Sequence, residues 1–226
     1  MGMTKKLFQK LLHKSGKTYT IDPAIPDVFF RMILFQRIFM LVRGYLKLGK
    51  KIYIGRGCCI TNKSNIDFGK NVTIAHNTKI DGFASRRLSI GDGSSIGAYS
   101  LVSCTSHPSK YGIGLIIGRN SAMGRFTEFG AAGGIEIGDD VIMGSYISFH
   151  SENHNFTDAT KLIREQGVTS QGIKIGNNVW VGAKATFLDG CVVGDNCVVA
   201  AGAVVNSVFP SNCVIGGVPA KIIKTI

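Results

Sequence analysis

The stretch that decides the fold runs from 173 to 209: IKIGNNVWVGAKATFLDGCVVGDNCVVAAGAVVNSVF. Its large apolar residues recur every six positions, at Ile175, Val181, Phe187, Val193, Val199 and Val205. A second slot, four residues after the first, holds Val179, Ala185, Cys191, Cys197, Ala203 and Phe209. Glycine follows the first slot at Gly176, Gly182 and Gly194. Neither the helix period of 3.6 nor the strand period of 2 accounts for this. A short strand with a sharp turn every six residues does. One large apolar residue points inward, a smaller one fills the space beside it, and Gly or Asn makes the turn. Three such units close a triangular coil of 18 residues, and Ile173 stands 18 residues before Cys191.

Working outward, the same phrase occurs at Ile52-Tyr-Ile-Gly, Ile66-Asp-Phe-Gly, Leu88-Ser-Ile-Gly, Leu115-Ile-Ile-Gly and Ile135-Glu-Ile-Gly. The pattern predicts a mainly β solenoid over 52–226, its coils stacked at about 4.8 Å. Spacings beyond 18 must be loops pushed out of the coil. The largest, 38 residues from Ile135 to Ile173, places a loop at about 155–170. A smaller excess places another at about 107–114.

The first 51 residues are built differently. The chain has 226 residues and a formal charge of +12. Residues 1–51 hold 11 Lys/Arg against 2 Asp/Glu, a net +9, while 52–226 hold 15 against 12. This predicts a basic N-terminal helical arm that covers the first coil, since a solenoid needs its ends covered. The apolar stretch Val28 to Leu46 is interrupted by Arg31, Arg37 and Arg43, so it falls short of the ~18 residues that span a bilayer. Those arginines lie about 120° apart around a helix and form no clean polar face. Two readings stand: a helix packed on its own domain or a neighbouring subunit, or a peripheral membrane anchor.

Met1 to Lys17 has no apolar core of a signal peptide, and Met1-Gly2 lacks the Ser or Thr at position 6 that myristoylation needs. The six cysteines form no C-x-x-C pair, which argues against a zinc ribbon and for a reducing cytoplasm. Gly112-Ile-Gly114 opens no helix, so dinucleotide binding is discounted. No basic motif interleaved with aromatics points to nucleic acid.

Five histidines offer a base near neutral pKa: His13, His76, His107, His150 and His154. His154 sits in Ser151-Glu-Asn-His-Asn-Phe-Thr-Asp158, where regular coil gives way to the long loop. Loops on a rigid scaffold commonly carry catalytic groups, though the residues alone equally allow a solvated histidine.

The repeat over 52–226 resembles the hexapeptide-repeat acyltransferases, whose fold is a left-handed parallel β-helix. The handedness comes from the resemblance, because ordinary crossovers are right-handed. The family implies homotrimers with active sites between neighbouring subunits. In its sugar and drug O-acetyltransferases an Asn-His or Thr-His phrase stands about 20 residues before an Ile-Gly-x-Asn-Val-Trp phrase. Here Asn153-His154 precedes Ile175-Gly-Asn-Asn-Val-Trp180 by 21. The resemblance therefore makes His154 the general base that takes the proton of an acceptor hydroxyl. His107, in Ser106-His107-Pro108, has no tryptophan phrase behind it and is read as a loop histidine or acceptor contact. Glu152 would orient the imidazole, unless a backbone carbonyl does so. Asn153, Asp158 and Glu128 are candidate acceptor contacts.

The resemblance also implies acetyl-CoA as co-substrate, with no metal. Gly182, Ala183, Ala201 and Gly202 would let pantetheine lie against backbone, and Trp180 would line the channel. In Gly216-Gly-Val-Pro-Ala-Lys-Ile-Ile-Lys224, Pro219 would meet adenine, while Lys221 and Lys224 would meet phosphates. Relatives often carry Thr-Lys where Asn206-Ser207 stand, a departure at that contact.

The expected function is thus O-acetyl transfer to a sugar hydroxyl in bacterial surface-polysaccharide assembly (O-antigen, capsule or exopolysaccharide). The expected location is cytoplasmic, with peripheral contact at the inner face of the membrane. Alternatives are a free sugar, drug or serine as acceptor, a γ-carbonic anhydrase, or an inactive β-helix scaffold. The anhydrase pairs zinc histidines five apart, whereas His150 and His154 are four apart.

Overall fold

The structure is a computed structural model that describes residues 2–14 and 18–226. Met1 and residues 15–17 lie outside the described residues. So the Met1 side of the acylation motif, and Lys17 at the end of the basic start, have no structural account.

From residue 53 onward the protein is built of short parallel strands in three sheets. One has nine strands and the other two have seven. The chain visits the three sheets in turn, and each strand pairs with the strand one coil later. Ile135–Ile137 pairs with Leu115–Ile117 on one side and Ile173–Ile175 on the other, so the 38-residue spacing is one coil plus an excursion. All twelve residues of the two six-residue slots in 175–209 are buried. Phe129, Phe149 and Phe187 stack through the interior with centroids 5.2 and 4.8 Å apart.

The turns confirm why Asn and Gly recur. Asn71, Asn120, Asp140, Asn178, Asn196 and Asn212 all sit in the left-handed region, φ 52–62°. Asparagine and aspartate tolerate that region better than most residues. Their side chains also link coil to coil: Asn178 Nδ2 donates to Asn196 Oδ1 at 2.8 Å, and Asn196 Nδ2 to Asn212 Oδ1 at 3.2 Å.

The phrase at Ile52 does not share a sheet with the phrase at Ile66. Tyr53–Ile54 pairs with Thr73–Ile74 in the nine-stranded sheet, while Ile66–Phe68 pairs with Leu88–Ile90 in another. The phrase marks a strand and its corner, and any of the three sheets can use it.

Two helices precede the coils: α1 (Met3–Lys14) and α2 (Asp27–Leu48). Gly49, at φ 64°, ends α2 and donates its N–H to the Tyr45 carbonyl, the usual role of a left-handed C-terminal glycine. α2 lies against the first coil at Tyr53–Ile54, and its buried residues are Phe30, Met40 and Gly44. A Cβ on Gly44 would collide with the Ile52 carbonyl, so glycine permits the close approach. The polar side chains of α2 also turn to the coil. Arg37 Nη1 donates to Thr73 Oγ1 at 2.9 Å and its guanidinium lies 4.4 Å from the Tyr53 ring centre. Arg43 Nε donates to the Ile54 carbonyl at 2.8 Å, and Lys47 Nζ to the Cys58 carbonyl at 2.7 Å. α1 packs on α2 through Phe8 and Phe30, rings 5.1 Å apart.

At the other end the chain reverses. Cys213–Gly217 is the last parallel strand of the nine-stranded sheet, and Ala220–Thr225 folds back antiparallel along its free edge.

Candidate active site

Two loops leave the coil at one corner, between the strand ends Ser103, Gly130, His150 and Leu188 and the next sheet. The longer loop opens as a hairpin: Asn153–His154 pairs antiparallel with Val168–Thr169. Asn155 closes it, with its N–H on the Gly167 carbonyl and its Nδ2 on the Gln166 carbonyl, both at 3.0 Å. His154 is therefore held in a backbone ladder while its ring is exposed. Among the described residues that ring has no hydrogen-bond partner.

Glu152 does not orient the imidazole within the chain. Its carboxylate accepts from Ser106 Oγ at 3.2 Å and from Ser170 Oγ at 3.4 Å, and Lys110 Nζ stands 3.8 Å away. Lys110 in turn donates to Ser170 Oγ at 2.5 Å. Glu152 thus ties the loop near 107–114 to both strands of the His154 hairpin. Sequence spacing carries no signal for this link, because Ser106 and Glu152 are 46 residues apart.

His107 stays within its own loop: Nδ1 lies 2.8 Å from Ser109 Oγ and accepts from the Ser109 N–H at 3.2 Å. Asp158 is likewise engaged locally. It accepts from Thr160 Oγ1 and the Thr160 N–H and pairs with Lys161 Nζ at 3.1 Å. The Thr160 hydroxyl and N–H, with Lys161, hold its carboxyl below the usual carboxylate range. Glu128 begins the central strand of a seven-stranded sheet, at the strand end away from the loops, paired with Leu101 and Ser148, and is exposed. It does not meet His154.

The residues chosen for the co-substrate gather elsewhere. Trp180 stands on the outer face of the nine-stranded sheet between Ile142 and Val198, 59% exposed. Ala183, Ala201 and Gly202 form the corner that follows, where Gly202 donates its N–H to the Ala183 carbonyl at 2.9 Å. Gly202 has φ 70° and open space where a Cβ would stand, which fits backbone offered to a ligand. Gly182 is different: a Cβ there would meet the Ala201 backbone nitrogen, so coil packing alone demands this glycine.

The terminal hairpin joins this corner, with Gly216 against Ala200. Pro219 is at its tip after a cis peptide bond, and Lys221 and Lys224 are exposed along its outer strand. Asn206 and Ser207 occupy the next corner, both exposed, with Ser207 Oγ 3.3 Å from Asn206 Oδ1. They sit apart from Trp180. The structure brings together Trp180, Ala183, Ala201, Gly202 and the hairpin at one corner. It brings His154, Asn153, Glu152 and His107 together at another, with a strand of one sheet between the groups.

The remaining histidines have other neighbours. His76 Nδ1 accepts from the Arg56 N–H at 3.3 Å, and its Nε2 lies 2.9 Å from Gln36 Nε2 on α2. His150 is exposed at a strand end. Among the described residues no three His, Cys, Asp or Glu side chains converge as a metal site.

Short strands in three sheets, turned by Asn and Gly at six-residue intervals, define a three-sided β coil. Residues 172–207 match the family described as bacterial transferase hexapeptide (six repeats). A candidate acetyltransferase of Mycobacterium tuberculosis is 27% identical over 165 residues, 73% of this chain and 51% of that protein. The chain therefore spans about half the length of that relative. WbbJ of Escherichia coli K12, named as a candidate O-acetyl transferase of lipopolysaccharide biosynthesis, is 26% identical over 174 residues. That alignment takes in 74% of this chain and 75% of WbbJ. Among solved structures, a variant of AntD, an N-acyltransferase from Bacillus cereus, superposes with a TM-score of 0.53 at 18% identity. It covers 81% of this chain and 88% of AntD, which was crystallised with dTDP-4-amino-4,6-dideoxyglucose and coenzyme A. That likeness is one of fold.

Proposed function

We propose that this chain is an acetyl-CoA-dependent O-acetyltransferase that acts on a sugar hydroxyl during bacterial surface-polysaccharide assembly. The observation that carries the reading is His154, fixed by a backbone ladder with its ring unengaged, 21 residues before the Ile-Gly-Asn-Asn-Val-Trp phrase. The WbbJ likeness supports a glycan acceptor.

Acetyl-CoA would supply the acyl group as a thioester. His154 removes the proton of the acceptor hydroxyl as that oxygen attacks the thioester carbonyl, then gives it to the departing thiolate as the C–S bond breaks. Trp180, Ala201 and Gly202 hold the co-substrate arm, and Pro219, Lys221 and Lys224 hold its nucleotide end.

The two groups of residues lie at different corners of one chain, which supports a site completed between copies. We therefore assign a left-handed parallel β-helix over 52–226, a basic arm over 1–51, and a homotrimer with its sites at the subunit interfaces. Among the described residues no helix is long and apolar enough to cross a membrane. The proposal places the protein on the cytoplasmic side.

The test is thiol release from acetyl-CoA by the full chain across free sugars, lipid-linked saccharides, serine and aminoglycosides. A saccharide should be the acceptor turned over. Turnover confined to serine or an aminoglycoside would overturn the acceptor class, and undiminished turnover by His154→Ala would overturn the mechanism.

A further inference from the structure

The outer face of α2 is inverted relative to a water-facing helix. Val28, Met32, Phe35, Phe39, Val42 and Leu46 follow one another every three or four residues and are 48–81% exposed. At 100° per residue they fall within about 80° of the circumference, in a strip about 27 Å long. Ile38 and Tyr45 widen it. The polar groups that would normally face water, Gln36, Arg37, Arg43 and Lys47, are the ones turned to the coil. α1 repeats the arrangement on a smaller scale: Met3, Leu7 and Leu11 are exposed one turn apart, with Lys6 and Lys10 also exposed. A contiguous apolar face of this size marks an interaction surface.

Charge identifies the partner. Residues 1–51 carry a net +9. Among the described residues none of their cations is paired with an acid. Two copies meeting strip to strip would bring two such arms together, so self-association through α2 opposes its own charge. At the C-terminal end of α2 a cavity of about 250 Å³ is lined by Lys47, Lys50, Lys63 and Ser64 beside Leu48. Among the described residues the Lys50 ammonium has no hydrogen bond or ion pair. An apolar strip on a helix whose C-terminal end lines a lysine-rich cavity matches an amphiphile with an acyl body and an anionic head.

We propose that α2 docks this face on an anionic phospholipid bilayer. Its strip lies among the upper acyl chains, and the Lys47–Lys50–Lys63 cavity takes a headgroup phosphate. Its depth is the few ångströms, about 5–10, of an interfacial helix. The surface deepens the proposed function, resting on it for one consequence only: an acceptor carried on a lipid would be delivered to the coil at the membrane.

The test floats the full chain with vesicles of phosphatidylcholine alone and of phosphatidylcholine mixed with phosphatidylglycerol. The protein should float with the mixed vesicles far better than with the neutral ones, and salt should weaken it. Phe35→Ser with Phe39→Ser should cut affinity for the mixed vesicles by at least about tenfold. Lys50→Gln with Lys63→Gln should cost roughly fivefold per charge on the mixed vesicles only. Both pairs are exposed, so thermal melting and thiol release from acetyl-CoA should stay at wild-type values.

Absence of flotation with mixed vesicles, or flotation undiminished by the phenylalanine changes, would overturn the proposal. So would a fall in oligomer mass of that variant by sedimentation, which would assign the strip to another copy. Flotation does not depend on turnover. Vesicle binding lost with turnover intact removes the membrane surface alone, and turnover absent with vesicle binding intact removes the catalytic reading alone.

Discussion

Residues 173–209 and α2 handle apolar side chains in opposite ways. In the coil every six-residue slot turns inward, and the corners put Asn, Asp and Gly outside. In α2 four hydrogen-bonding side chains, Gln36, Arg37, Arg43 and Lys47, turn inward and nine large apolar residues stay out. The coil is held by apolar stacking, while α2 relies on a few polar anchors around a small buried contact. A region fastened in the second way owes its exposed face to something other than folding.

The largest effect that tests this contrast is catalytic. His154→Ala at the coil corner should lower acetyl transfer by about 10²–10⁴-fold without changing the melt. His107→Ala should stay within a few-fold of wild type, as should the Phe35→Ser, Phe39→Ser arm variant on a soluble acceptor. Equal losses at His107 would move the base to the other loop.

Stability should divide the same way. Phe149→Ala removes the middle of the buried stack and should cost about 3–5 kcal/mol by denaturant titration. Phe39→Ala, on the strip, should stay within ~0.5 kcal/mol. Equal costs would show that the strip is part of the folded core.

A smaller effect is expected at the anchors. Arg43→Ala loses the bond to the Ile54 carbonyl and should loosen α2 by about 1 kcal/mol, read as faster proteolytic clipping within 1–51. The coil should remain intact in the same digest.

The smallest effect concerns thiols. Only Cys59 is exposed among the six cysteines. Burial pushes the Cys104 and Cys191 thiols up to about 12, so at neutral pH they hold almost no reactive thiolate. One fast label per native chain is expected with a thiol reagent, and the other five should react only on unfolding.

Much of the coil was legible because its signal is local and repeated. Each slot residue answers to the same neighbour one coil away, so Ile175 through Val205 declare the period without any long-range information. The two loops were legible as excess spacing, and His154 as the residue where the period breaks. The direction in which α2 faces was not legible. Arg31, Arg37 and Arg43 point three ways on a helix. The groups that bind two of them are Thr73 and a backbone carbonyl, and neither stands out in the sequence. The tie made by Glu152 was hidden for the same reason: its partners Ser106, Lys110 and Ser170 are ordinary loop residues. The sheet that receives the Ile52 phrase depends on where the chain enters the first coil, which a repeat cannot tell.

The terminal strand Ala220–Thr225 has a consequence for self-assembly. A stack of parallel strands has no intrinsic stopping point, and its last edge is a template for another chain. Here that edge in the nine-stranded sheet is occupied by an antiparallel strand that breaks the parallel register. The new edge carries Lys221 and Lys224, and an incoming copy would meet like charge there. Deleting residues 218–226 should therefore leave the earlier coils folded but sticky, and two copies should pair through the freed edge. The same two lysines would serve as a guard against such pairing even in a chain that never met a nucleotide.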